Sequence, residues 1–171
     1  MKVKSSNNLV KHIIGTVAVA AVLSLSLSPS VSHAALLGWD LVDSGKHLDW
    51  DGNTKYTTSV GNAVDLWESY KPGIIRPDSV YVIEDVYLSD YYQVSSTMAV
   101  TSSAGTIKFN DYKCNKMSPD QKTKTTTHEF GHALGLDHTN GTYDIMQQGK
   151  LSITSLSNTD KSSYDAAYFT Y

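Results

Sequence analysis

Residues 128–138 read His128-Glu129-Phe130-Gly131-His132-Ala133-Leu134-Gly135-Leu136-Asp137-His138, and three histidines at this spacing restrict the local fold severely. Four residues along an α-helix turn through about 400°, so His128 and His132 leave the same face one turn apart. Two imidazoles at that separation can share one metal ion. Glu129 lies about 100° further round, near enough to reach a water on such an ion yet angled away from ligating it. Returning His138 to the same ion requires the helix to stop abruptly, and Gly135 tolerates the positive φ that such an exit commonly needs. Three neutral imidazoles leave a fourth tetrahedral zinc position open for water, as in a catalytic site and unlike a closed structural one.

The chain holds 6 His and 11 Gly, so shuffling would produce this pattern on the order of once in 10⁵ sequences. Histidines decorating an exposed helix face, or a structural zinc, would leave Glu129 and the open position without a use.

The string resembles the long zinc motif of the metzincin clan, and its wording is most similar to that of the matrixin (matrix metalloproteinase) family. A methionine also follows: Met146, in Tyr143-Asp144-Ile145-Met146, eight residues after His138. The resemblance implies one catalytic zinc on His128, His132 and His138, with Glu129 as general base. It also implies that Met146 lies in a tight turn beneath the site and supports it without ligating the metal. Ser96 to Thr101 resembles the edge strand that borders the family's substrate cleft, which makes Met98, Ala99 and Val100 the candidate substrate edge. Leu48-Asp49-Trp50, a helix containing Trp67, the strand Gly105 to Asn110 and a C-terminal helix over Ser157–Tyr168 complete the likeness.

The departures are specific. The cysteine-switch motif is absent, and no prodomain is expected between Ala35 and the first strand. Cys114, the single cysteine, reads as a buried thiol and not as a latency ligand. The histidine-containing structural-zinc loop of the family is missing, leaving His47 as the spare histidine, and calcium has no clear motif. Gln147-Gln148 stands where Tyr-Pro commonly follows the methionine. That segment helps form the S1′ pocket, so family specificity does not transfer.

The N-terminus points outward from the cell. Lys2, Lys4 and Lys11 precede a mostly apolar stretch from Ile13 to Leu27, and Ser32 and Ala34 sit at −3 and −1 of a cleavage point before Ala35, the order of a secretory signal peptide. We therefore expect a signal peptide over 1–34 and one secreted, extracellular domain over 35–171. Cleavage removes three lysines and no acids, so the formal charge of −3 becomes −6. An acidic surface argues against nucleic acid as partner, and no stable membrane association is expected after cleavage.

Element signals are uneven. Leu48 and Trp50 suggest a short strand ending in an Asp51-Gly52-Asn53 turn. Tyr56, Val60, Ala63, Val64 and Trp67 recur at helical spacing, and Lys71-Pro72-Gly73 stops that helix. Ser79 to Leu88 reads as one or two strands, and Ser96–Thr101 and Thr106–Phe109 as two more. The rings of Tyr87 to Tyr92 are expected to pack on the sheet or cover its edge. Ser118-Pro119-Asp120-Gln121 offers an N-cap, a first-turn proline and a capping glutamine for a helix running to about Leu134. Ser157 with Asp160 offers the same for the last helix, whose apolar face is Tyr164, Ala167, Tyr168 and Tyr171.

The expected whole is an α+β metzincin-like domain: a small twisted mixed sheet, a preceding helix, the zinc helix, a Met-turn and a C-terminal helix. The expected activity is zinc-dependent endopeptidase action by a monomer on protein or peptide substrates. The rivals are a secreted zinc hydrolase of a non-peptide amide and a zinc-containing binding protein without catalysis.

Overall fold

The computed structural model describes residues 35–79 and 82–171; the signal-peptide reading falls on residues outside them. The first strand, β1 (Leu48–Asn53), begins with Leu48 and Asp49 buried at its start. Helix α1 (Thr57–Glu68) follows, burying Val60, Ala63 and Trp67 at the spacing of one face. Next come β2 (Ile75–Pro77), β3 (Val86–Tyr91), β4 (Ala99–Ser102) and β5 (Thr106–Asn110). Three helices close the chain: α2 (Asp111–Cys114), α3 (Pro119–Ala133) and α4 (Asn158–Tyr168). The five strands form one sheet in the order β2-β1-β3-β5-β4, parallel except for β4, which runs antiparallel to β5. A mixed sheet with helices makes this the α+β architecture expected.

Three strand readings need correction, the first being that the strand expected over Ser96–Thr101 begins only at Ala99, so Met98 lies before it. Asp51-Gly52-Asn53 is not a turn: β1 continues through it, in register with Tyr87, Leu88 and Ser89. The turn-like composition is overridden because β1 and β3 are parallel and joined by a long crossover, so no hairpin turn is called for there. Of the described residues from Ser79 to Leu88, strand begins at Val86. The β-branched composition of that span is a weak guide, because β-propensity reflects the packing a pleated surface offers and not an intrinsic preference. Of the tyrosines, Tyr87 and Tyr92 are exposed, and Tyr92 meets Tyr112 edge-on at 5.9 Å.

Beneath the sheet, α3 is buried along nearly its whole length. Its threonines are poor helix formers, and two turn their hydroxyls back into the helix, Thr126 Oγ1 to the Lys122 carbonyl and Thr127 Oγ1 to the Thr123 carbonyl. Packing holds it instead. Trp67 of α1 is fully buried, donates its indole N–H to the Thr127 carbonyl at 3.0 Å, and meets Tyr164 of α4 edge-on at 5.3 Å. One aromatic thus ties three helices together. Both capping boxes form, Ser118 with Gln121 on α3 and Ser157 with Asp160 on α4. Among the described residues, no helix is long and apolar enough to cross a membrane.

Candidate metal centre

The end of α3 is where the fold and the site meet. Leu134 caps the helix, and Gly135 adopts φ +83°. The Leu136 N–H then bonds the Gly131 carbonyl and the Gly135 N–H the His132 carbonyl, each at 2.9 Å, the paired bonds of a Schellman ending. Residues 35–41 cross over this exit. Leu37 and Leu41 donate to the Gly135 and Ala133 carbonyls, and Asp137 donates to the Ala35 carbonyl, all within 2.8–2.9 Å. The chain beyond Gly135 is therefore fixed in direction before it reaches His138.

The result is convergence. One nitrogen from each of His128, His132 and His138 lies within 4.8 Å of the others. His132 Nε2 and His138 Nε2 are 3.1 Å apart. Zn–N bonds of about 2.0–2.1 Å at tetrahedral angles require neighbouring nitrogens about 3.3 Å apart, so the donor set fits zinc in chemistry and in spacing. The opposite ring nitrogens are also assigned. His128 Nδ1 faces the Ile145 carbonyl and His132 Nδ1 the Leu136 carbonyl, each at 2.8 Å. A carbonyl only accepts, so both Nδ1 atoms carry the proton and both Nε2 lone pairs are free for a metal. Burial holds His128 well below the ordinary imidazole pKa and lowers His132 as well, which favours the neutral, ligating form.

Glu129 stands apart from the three rings. It is 6% exposed, and its Oε2 accepts a 2.7 Å hydrogen bond from Thr101 Oγ1 of β4. Burial pushes its pKa up to about 7, against the pull of the Thr101 hydroxyl and the Lys124 charge. A buried carboxyl beside three converging imidazoles, half-ionised near neutrality, is suited to exchanging protons.

Met146 is fully buried. A Cβ added at Gly131 would fall 2.4 Å from Met146 Sδ, so the methionine occupies space that a side chain on the helix would claim. Its turn is hung from α4. Asp160 accepts from the Ile145, Met146 and Ser157 N–H groups at 2.9, 3.1 and 2.9 Å. The same Ile145 offers its carbonyl to His128, so Asp160 positions a ligand through one intervening residue. Asp160→Ala would orphan two buried N–H groups of the turn and one at the helix start. We expect a loss of roughly 3 kcal/mol or more in unfolding free energy, read by urea denaturation of metal-free protein against a Ser157→Ala control that removes only the cap.

The remaining sequence candidates are placed as follows. Ala99 and Val100 lie in β4, the terminal strand of the sheet, and Met98 immediately precedes it. Ala99, Val100 and Thr101 line a hollow with Glu129, His132 and His138, so the sheet edge borders the histidine cluster. Cys114 is buried, donates to the Met98 carbonyl at 3.4 Å, and has a thiol pKa pushed up to about 11 by burial, which makes it unreactive. Sequence reasoning missed Thr101 as the partner of Glu129 and Asp160 as the anchor of the turn. Nothing local marks Thr101, whereas Asp160 was visible as a helix cap but not as a ligand of a loop fourteen residues away. Asp43, Asp49 and Asp85 also come together, but the Arg76 guanidinium forks onto Asp49 at 2.7 and 2.9 Å, and this group reads as an ion-paired support of β1.

The family model for matrixin peptidases matches residues 45–168, well over half of the chain. No curated protein matches it.

Proposed function

Because the chain belongs to the matrixin family of metallopeptidases, we propose that it is a secreted zinc-dependent endopeptidase whose ligands are His128, His132 and His138 and whose general base is Glu129. The observation that carries this reading is the convergence of three imidazoles beside a buried carboxyl that does not belong to the triad. Zinc held by His128, His132 and His138 would supply Lewis acidity near neutral pH. Glu129 takes the proton of the attacking water on its carboxylate and passes it to the departing amide nitrogen. Thr101 keeps that carboxylate turned toward β4 by its hydroxyl.

Substrate is held extended along β4, whose outer edge is unpaired in the sheet, and adds to it as a further strand. Backbone pairing of that kind needs no chain terminus, which suits cleavage within a chain. Export rests on the signal-peptide pattern of residues 1–34.

The test is cleavage of casein or gelatin by the purified, exported protein with and without a zinc chelator. Hydrolysis that stops on chelation and returns with zinc is the expected result. Chelator-sensitive release from a non-peptide amide but from no protein would favour the alternative hydrolase. No hydrolysis of any kind by zinc-replete protein would favour a binding protein.

A further inference from the structure

We propose that Lys124 turns the hollow beside Glu129 into a pocket for an acidic side chain, so that the enzyme cuts peptides next to Asp or Glu. The inference rests on the peptidase reading above and adds the substrate class. The hollow holds about 200 Å³ and is walled by Met98, Ala99, Lys124, His128, Glu129 and Gly149. It therefore lies between the sheet edge, the start of the zinc-binding turn of α3 and the segment after Met146. A peptide extended along β4 across the histidine cluster sends alternate side chains to opposite faces, and a neighbour of its scissile bond enters this hollow.

Lys124 is a buried cation in the wall of this hollow. It sits one helical turn before His128 and is 2% exposed. A buried ammonium is unfavourable unless an anion or several acceptors compensate it. Lys124 Nζ has three protons to donate and spends one, on the Gln147 carbonyl. Among the described residues no carboxylate lies within ion-pair distance of it, and the Glu129 and Asp160 carboxylates favour its charge only from further off. Burial lowers its pKa to about 8, which leaves the ammonium dominant at pH 7.

A second group in the same wall lacks a partner. Thr125 lines the hollow, and its hydroxyl is buried with no hydrogen-bond partner. A cation with donors to spare beside an unsatisfied hydroxyl is the chemistry of a carboxylate receptor. A methyl-rich side chain would leave both groups as they are; a carboxylate would satisfy them.

The experiment uses zinc-loaded protein and a mixed peptide library, with cut sites read by mass spectrometry. Asp or Glu should dominate at one position flanking the cut, with kcat/KM for a Glu substrate about ten- to a hundredfold above its Gln isostere, the size of one charge-assisted hydrogen bond. In Lys124→Met that ratio should fall to about one. A ratio near one in the unaltered protein, or a ratio that survives in Lys124→Met, overturns the proposal. Binding supplies a readout that needs no turnover. Zinc-loaded Glu129→Ala protein, titrated calorimetrically with acetyl-Ala-Gly-Glu-Ala amide and its Gln counterpart, should bind the Glu peptide at least about tenfold more tightly, and the added Lys124→Met change should erase the difference. Selective binding without hydrolysis of any library member by the unaltered protein would remove the peptidase reading and leave the pocket in place. Equal binding of the two peptides removes the pocket whatever the hydrolysis result.

Discussion

Glu129→Ala is expected to retain stoichiometric zinc while peptide hydrolysis falls by about 10²–10⁴-fold, the range a positioned general base contributes. The separation follows from geometry. The converging atoms belong to His128, His132 and His138, whereas Glu129 is directed to the Thr101 hydroxyl of β4 at 2.7 Å. Removing the carboxyl therefore takes away a proton acceptor and no ligand. The substitution also relieves a buried ionisable group whose pKa burial has pushed up to about 7, so folding should not suffer. Glu129→Gln keeps the side-chain shape and an oxygen for Thr101, but not the basicity, and should be as inactive as the alanine variant. Elemental analysis alongside steady-state kinetics reads both quantities. Full activity in either variant would refute the base assignment, and loss of zinc from the glutamine variant would show that the carboxylate serves the metal directly.

How much of this was readable in advance depends on how local each signal is. The eleven residues from His128 to His138 encode their own geometry, because helical periodicity and one glycine suffice to bring two histidines onto one face and turn the chain back. Helix starts at Ser118 and Ser157 were equally legible, since a capping box is a four-residue pattern. The short strand Ile75–Pro77 was not, because its status comes from parallel pairing with Leu48, Asp49 and Trp50 across a whole helix. Asp51-Gly52-Asn53 misled for the same reason: its partners lie on β3 and no nearby residue announces them. Within the site, what escaped notice were the residues that act at long range. Thr101 reaches Glu129 from another element, Asp160 reaches the Met146 turn from α4, and residues 35–41 clamp the exit of α3. Lys124 was hidden differently. A lysine on a helix is normally solvated, and only the packing of Gln147 and the sheet edge around it reveals a buried charge.

His132→Ala should abolish both stoichiometric zinc and activity, and it should do so with little change in the stability of the metal-free protein. The ring is only half-buried, unlike His128, so truncating it opens no sealed cavity, and its one backbone bond is to the Leu136 carbonyl in a turn already held by the Gly131 and His132 carbonyls. Its loss to the metal is of another order. His132 Nε2 sits 3.1 Å from His138 Nε2, and without it two imidazoles remain where a tetrahedral zinc site with an open position needs three. Zinc that binds the folded state alone raises apparent stability in proportion to the logarithm of its concentration over its dissociation constant. Thermal scans with and without zinc should therefore show a large rise in Tm for the unaltered protein, little or none for His132→Ala, and nearly equal metal-free midpoints. A metal-free midpoint far below that of the unaltered protein would mean that the ring is structural. Stoichiometric zinc retained by His132→Ala would mean that the ligand set is wrong, and with it the assignment of Glu129, whose role has meaning only beside a metal held by these three rings.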